Sequence, residues 1–179
     1  MICLPPQLPG TCGSVNVTLL VRKRGARTGT IARRSTFTFG FAGEALLATL
    51  GPDPDAGSDG QRICRVSTTN ECTEVRAADA LRDLYSPEGS PDGRFVVAVA
   101  SPLAVDEPGA AFTGHVALFR AADGAFVRDL SFGPDVNPTW SPDGRRVAFE
   151  RAGAIHVVDV ATGVTRRLVR GTHPAWSRR

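Results

Sequence analysis

Three histidines are the residues of this chain best suited to acid–base chemistry or to metal binding. No Gly-x-Ser-x-Gly motif occurs, and no histidine has a partner serine or cysteine in a recognisable setting. His115 and His156 fall at different places when the repeats described below are aligned, which argues against a repeated ring of ligands. We therefore expect packing histidines and no metal site, cofactor or enzymatic activity.

The acidic segment Asp53–Gly60 has the composition of a calcium loop, in which carboxylates at alternate positions converge on the cation. Its register is wrong, because counting from Asp55 places Gly57 at the third ligand position and Val66 at the twelfth. The segment joins two predicted strands, and we interpret it as a solvated hairpin loop.

Basic residues crowd the segment Arg22–Arg34, whose charge could attract phosphate or anionic lipid. The segment lacks interleaved aromatic residues and lies on a predicted hairpin turn, so we favour a solvated loop and expect no nucleic-acid partner. Anion binding is the alternative, and it would weaken as salt is added.

Four cysteines form two close pairs, Cys3 with Cys12 and Cys64 with Cys72, and neither pair has metal-binding spacing. An even number of closely paired cysteines is typical of a compartment that permits disulfides. Two candidate disulfides and four reduced thiols both stay open, because no signal peptide is visible.

The second pair yields a geometric prediction. A connection of Ser67–Thr69 would pair Val66 with Asn70 and place Cys64 directly opposite Cys72. A connection of Thr68–Asn70 would instead make the two cysteines diagonal neighbours.

The strongest pattern in the chain is a repeat centred on Trp140–Arg145. Its turn recurs 51 residues upstream, in Ser90–Arg94. The residues that lead into the turn recur 36 residues downstream, in His173–Ser177. These steps bracket the length of a four-stranded propeller blade. The signature residues, to which we assign a structural role, are Trp140, Ser141, Pro142, Asp143, Gly144, Asp92, Gly93 and Trp176.

Local chemistry explains why the repeat predicts a hairpin. Pro142 presets φ, Asp143 bonds the nearby backbone and Gly144 accepts positive φ, so a strand that ends at Trp140 must reverse. Further apolar strands and Gly-containing turns follow, which indicates an antiparallel meander of four strands.

Composition supports an all-β class. The chain has 179 residues, of which 42% are apolar and 22% charged, with a net charge of +3. Its 19 glycines and 13 prolines are spread between short apolar runs, which favours strands and turns over helices. No apolar run approaches the roughly 20 residues of a transmembrane helix.

Aligning the repeats predicts the organisation of the chain. We expect an irregular lead-in at residues 1–14 and a propeller segment at 15–179. Within that segment we expect a partial blade at 15–36, three blades at about 37–83, 84–137 and 138–172, and one strand of a further blade at 173–179. Three blades and a partial fourth are at the lower limit of the roughly four to eight that propellers use, so we predict an open or incomplete ring whose open blade faces could self-associate.

Residues 134–177 resemble the WD-like β-propeller repeat of the TolB type, through the string from Pro138 to Glu150 and the following Ile155–Gly163. The resemblance is weaker over residues 84–133 and is only a pattern over 37–80. It implies a binding scaffold, often periplasmic or extracytoplasmic. The same kind of blade also forms the gating domain of prolyl-oligopeptidase-type serine peptidases.

We accordingly expect a non-catalytic scaffold that binds a protein or peptide, with Trp140 and Trp176 packing the innermost strands. Two alternatives remain: a piece of the propeller of such a peptidase, or a structural module without a specific ligand. The resemblance and the paired cysteines together suggest a periplasmic or extracytoplasmic location.

Overall fold

The computed structural model describes residues 20–21, 29–30, 36–42, 45–50, 62–66, 72–75, 82–102 and 114–177. These residues form fourteen strands and no helix. Twelve of the strands make three antiparallel four-stranded sheets, and the other two pair with each other. The fold is therefore all-β, as the turn-rich composition predicts.

Each four-stranded sheet is one blade, built from four consecutive strands. A short strand pair precedes them: β1 Leu20–Val21 and β2 Gly29–Thr30. Blade 1 contains β3 Thr36–Ala42, β4 Ala45–Leu50, β5 Arg62–Val66 and β6 Cys72–Val75. Blade 2 contains β7 Arg82–Gly89, β8 Phe95–Pro102, β9 His115–Arg120 and β10 Phe126–Asp129. Blade 3 contains β11 Asp135–Trp140, β12 Arg146–Arg151, β13 Ala154–Asp159 and β14 Thr165–Arg170.

The first strands of the blades begin one, two and three residues ahead of the predicted boundaries at 37, 84 and 138. They start at Thr36, Arg82 and Asp135. The difference arises because each first strand contains a bulge and is paired before the bulge as well as after it. In β11, for example, Val136 pairs with Glu150 before the bulge. The predicted lead-in at 1–14 lies outside the described residues.

The hairpin turn of the repeat is held by the same hydrogen bonds in blades 2 and 3. In blade 3 the Ser141 hydroxyl donates to Asp143 Oδ1 at 2.6 Å and accepts from the backbone N–H of Arg146 at 2.9 Å. In blade 2 Ser90 makes the same contacts with Asp92 and Phe95, at 2.6 and 2.9 Å. Gly93 and Gly144 have φ of 70° and 68°, the left-handed conformation that glycine adopts without steric cost.

Two apolar layers join the blades. Between blades 1 and 2 the layer contains Leu47, Ile63, Val75, Leu84, Val96, Ala98, Ala100, Ala117, Phe119 and Ala121. Between blades 2 and 3 it contains Val97, Val116, Leu118, Leu130, Trp140, Val147, Phe149 and Val158. Strands buried on both faces explain why the second and third strands are nearly continuous apolar runs.

The ring is open at blade 3. The face of this blade that points away from blade 2 carries Ala148, Ile155 and Val157, and Trp176 packs against these three side chains. The outermost strand β14 is exposed along its whole length. Self-association through such an open face stays a prediction.

Candidate functional site

A groove runs along the first strands of blades 2 and 3 and the segment that follows β14. Its volume is about 310 Å³. We call it the axial groove, because in a propeller the first strand of each blade faces the central channel. Its lining residues are Ser86, Pro87, Glu88, Asn137, Pro138, Thr139, His173 and Pro174.

The backbone of the axial groove repeats from blade to blade. Ser86, Asn137 and His173 have φ of 47°, 53° and 50°, and each precedes a proline. They are separated by 51 and 36 residues, which are the steps of the repeat. Positive φ in a residue with a side chain is strained, and such strain concentrates at ligand clamps and other functional sites.

A bulge accompanies the strain in both complete first strands that line the groove. In β7 the ladder jumps from Tyr85 opposite Val99 to Glu88 opposite Val97. In β11 the ladder makes the same jump, from Val136 opposite Glu150 to Thr139 opposite Ala148. A bulge redirects side chains out of the regular alternation, so it turns the intervening residues towards the groove.

Glu88 connects the two blades across the groove. Its Oε1 accepts hydrogen bonds from the Thr139 hydroxyl at 3.1 Å and from the Trp140 backbone N–H at 3.3 Å. The Trp140 indole donates to the Glu88 carbonyl oxygen at 3.0 Å. Burial raises the pKa of the Glu88 carboxyl, although the hydrogen bonds from Trp140 and Thr139 act in the opposite direction.

The segment after β14 occupies the place of a further first strand. The Trp176 indole donates to the Thr139 carbonyl oxygen at 3.1 Å, and the Arg146 guanidinium lies 5.4 Å from the centre of the indole ring. Glu150 Oε2 accepts from the His173 backbone N–H at 3.1 Å and from Asn137 Nδ2 at 3.3 Å. These contacts close the groove on the side of His173.

The signature residues expected from the sequence lie beside the groove and at its ends. Trp140 is 5% exposed and packs between blades 2 and 3, and Trp176 packs on the outer face of blade 3. Asp92, Gly93 and the residues Ser141–Gly144 form the two hairpin turns. The sequence patterns did not single out the groove residues Ser86, Glu88, Asn137 and His173. The proline that recurs next to each of them could have indicated a repeated backbone feature.

Two of the three histidines pack inside different blades. His115 Nε2 lies 2.8 Å from Asp129 Oδ1. His156 stacks on Phe149 with ring centres 5.8 Å apart, and burial and then the nearby Arg151 charge lower its pKa. Within the described strands and turns, no three histidine, cysteine or acidic side chains converge on a metal-binding position.

Of the two registers predicted at the second cysteine pair, the one with Cys64 directly opposite Cys72 is wrong and the diagonal alternative is confirmed. Val66 pairs with Cys72, and Cys64 pairs with Glu74, so Cys64 and Cys72 are diagonal neighbours. This is the register that a connection of Thr68–Asn70 produces, one residue later in the chain than Ser67–Thr69. Cys64 is 3% exposed. The side chains of Cys3, Cys12 and Cys72 lie outside the described residues, so both disulfides stay predictions.

The predicted acidic and basic loops lie almost entirely outside the described residues. The acidic segment Asp53–Gly60 lies outside the described residues, and only Gly29–Thr30 of the basic segment Arg22–Arg34 is described.

Among the described residues there is no helix that is both long and apolar enough to cross a membrane.

Solved structures with the same fold identify the architecture. A protein assigned as TolB, from Agrobacterium tumefaciens, matches 86% of this chain with a TM-score of 0.62 and 17% identity. A prolyl endopeptidase matches 84% with a TM-score of 0.58 and 14% identity. Hydrazine synthase of Kuenenia stuttgartiensis matches 75% with a TM-score of 0.52 and 16% identity. This chain spans 58%, 22% and 42% of those chains, respectively.

The chain thus has a β-propeller fold, with its blades in an open arc. At these identities the likeness shows the fold alone. No protein-family model matches the sequence, and the search of curated proteins finds no match.

Proposed function

We propose that this chain is a non-catalytic scaffold that binds a protein or peptide in the axial groove. The observation that carries the proposal is that equivalent residues of three successive repeats, Ser86, Asn137 and His173, all line one groove in a strained conformation. Repeated strain at one surface needs a reason, and ligand binding is a common one.

The chemistry of the groove suits an extended peptide. Three prolines supply apolar surface, and Ser86, Asn137 and Thr139 carry hydrogen-bonding groups of the kind that orient a peptide main chain. The proposal that the scaffold is non-catalytic rests on the sequence, which has no Gly-x-Ser-x-Gly motif.

The test is a selection from a random heptapeptide library on the purified chain, followed by fluorescence titration of the selected peptides. The two tryptophans of the chain, Trp140 and Trp176, both donate their indole N–H to carbonyl groups of groove residues. Their emission should therefore change when a peptide enters the groove.

A double substitution, Asn137→Gly with His173→Gly, removes two groove side chains while glycine keeps the positive φ. We expect it to weaken binding by about tenfold or more. Arg145→Ala, in an exposed turn outside the groove lining, is the control and should bind as the wild type does. Selected peptides that bind both variants equally would refute the proposed binding surface.

The second candidate is a propeller that belongs to a prolyl-oligopeptidase-type serine peptidase. The structural likeness to a prolyl endopeptidase, of which this chain spans 22%, supports this second candidate. A longer reading frame that carries a Gly-x-Ser-x-Gly element would establish this candidate. Failure of the library to yield any binder would leave a structural module as the remaining interpretation.

The proposed location is periplasmic or extracytoplasmic. Its support is the even number of closely paired cysteines, which a disulfide-permitting compartment would oxidise.

A further inference from the structure

We infer that the axial groove selects ligands with a positively charged group, a lysine or arginine side chain or a free amino terminus, and that Glu88 pairs with that group. The inference rests on the proposed function, because it names the chemistry of the ligand that the same groove would take.

The first argument is the state of the Glu88 carboxylate. Oε1 accepts from Thr139 and Trp140, whereas Oε2 has no hydrogen-bond or ion-pair partner in the part of the chain that the structure describes. Glu88 lines the groove and is only partly exposed. One oxygen is thus held in place by the protein, and the other remains for a ligand.

The second argument is a comparison with another carboxylate of the same domain. Asp135 is 0% exposed, and Arg151 meets it with two hydrogen bonds, from Nε at 2.6 Å and from Nη2 at 2.8 Å. A carboxylate that loses water without a counter-charge destabilises the protein, so a pair of this kind is the usual arrangement. Glu88 has no such cation within the described residues, and burial accordingly raises its pKa. A cation on the ligand would supply the missing charge.

The third argument comes from the repeat. Glu88 stands 51 residues before Thr139, and Thr139 stands 36 residues before Ala175, so these three residues occupy equivalent positions. Thr139 of blade 3 has a hydroxyl group at this position, and Ala175 of the segment after β14 has a methyl group. The blade fold therefore does not require an acidic residue here, and the charge needs another explanation.

The experiment repeats the random heptapeptide selection on three proteins: the wild type, Glu88→Gln and Asp123→Asn. The glutamine variant keeps an oxygen that can accept from Thr139 and Trp140 and removes only the charge. Asp123→Asn removes the same charge from an exposed turn, where Asp123 pairs with Arg120. Thermal unfolding of each variant checks that it is folded.

Wild type and Asp123→Asn should enrich lysine or arginine in their binders, or bind through the amino terminus that every library peptide carries, and Glu88→Gln should do neither. Neutralising that group in a selected peptide, by acetylating the lysine or amino terminus or replacing the arginine with citrulline, should weaken binding to the wild type by about tenfold or more, since a charge-assisted hydrogen bond is lost. This second measurement needs no variant, so it stands even if Glu88→Gln does not fold.

Two other results are informative in different ways. A selected peptide that binds the wild type equally well after its cationic group has been neutralised would overturn this inference and leave the proposed function intact. No binders from the library, or binders insensitive to the Asn137→Gly and His173→Gly double substitution, would overturn the proposed function and this inference with it.

Discussion

The indole Nε1 of Trp176 donates to the carbonyl oxygen of Thr139 at 3.1 Å. The same bond joins blades 2 and 3, where the Trp140 indole donates to the Glu88 carbonyl oxygen at 3.0 Å. Because Glu88 and Thr139 are equivalent in the repeat, the segment 173–177 lies on blade 3 as a first strand lies on the blade before it. The outer face of blade 3 is therefore arranged as a junction between blades.

The two tryptophans should differ in their effect on stability. Trp140→Ala should lower the free energy of unfolding by about 3–5 kcal/mol, because this indole is buried between two blades. Trp176→Ala should lower it by about 1–2 kcal/mol, because its indole is partly exposed. Denaturant titration of both variants measures the difference, and equal losses would contradict the described position of the terminal segment.

Phe149→Ala should be far more damaging than Arg145→Ala. Phe149 is 0% exposed and lies in the layer between blades 2 and 3, so its removal leaves a cavity that costs roughly 3–5 kcal/mol. Arg145 is exposed beside a hairpin turn, and its removal should matter by well under about 1 kcal/mol. Similar denaturation midpoints for the two variants would be evidence against the placement of β12.

Asp135→Asn should destabilise blade 3. Asp135 begins β11 and Arg151 ends β12, so their ion pair ties the two strands together at one end. Loss of one partner should cost on the order of 2 kcal/mol, since Arg151 is itself partly exposed. Asp123→Asn is the matched control on an exposed ion pair with Arg120, where we expect a much smaller loss because water screens the two charges. Equal unfolding free energies for the two variants would show that the Asp135 pair contributes little.

Glu88→Gln should become more stabilising relative to the wild type as the pH rises. Burial raises the folded-state pKa of Glu88 above its ordinary value of 4.5, so the folded protein holds this proton more tightly than the unfolded chain does. The stability from this group is fully present below 4.5 and is lost as the pH rises through the folded-state pKa. Glutamine does not titrate and escapes this loss.

The measurement is the difference in unfolding free energy between Glu88→Gln and the wild type at about pH 4 and about pH 7. Asp123→Asn provides the comparison, because hydrogen bonds from Arg120 and Ala125 lower the pKa of Asp123. Its difference from the wild type should move in the opposite direction, with the carboxylate favouring the wild type at the higher pH. A difference for Glu88→Gln that does not change with pH would contradict the burial of this carboxyl.

Cys64 should form a disulfide with Cys72 if the protein is made in an oxidising compartment. Cys64 and Cys72 are diagonal neighbours on adjacent strands, which are close enough for their side chains to interact. Peptide mapping of the unreduced chain by mass spectrometry checks the pairing, together with that of Cys3 and Cys12. Alkylation of Cys72 without prior reduction would refute the Cys64–Cys72 disulfide.

The sequence alone was sufficient for the parts of the fold that depend on neighbouring residues. The Ser-Pro-Asp-Gly turn is closed by Ser141, Asp143 and Arg146, which lie within five positions of one another, so residue types determine its shape. Its recurrence at Ser90 shows where each hairpin reverses, and the apolar runs between turns indicate strands buried on both faces. These signals predict an all-β meander of blades.

Only the tertiary structure decided the site. The axial groove joins Glu88 to Thr139 and Thr139 to Trp176, pairs that lie 51 and 37 residues apart. The register between Cys64 and Cys72 likewise depended on which residues form the connection between the strands, and the sequence left two possibilities open. Local propensity acts over a few residues, whereas the approach of distant strands is set by side-chain packing between blades. For that reason the repeat predicted the architecture and left the placement of Glu88, Asn137 and His173 to the folded chain.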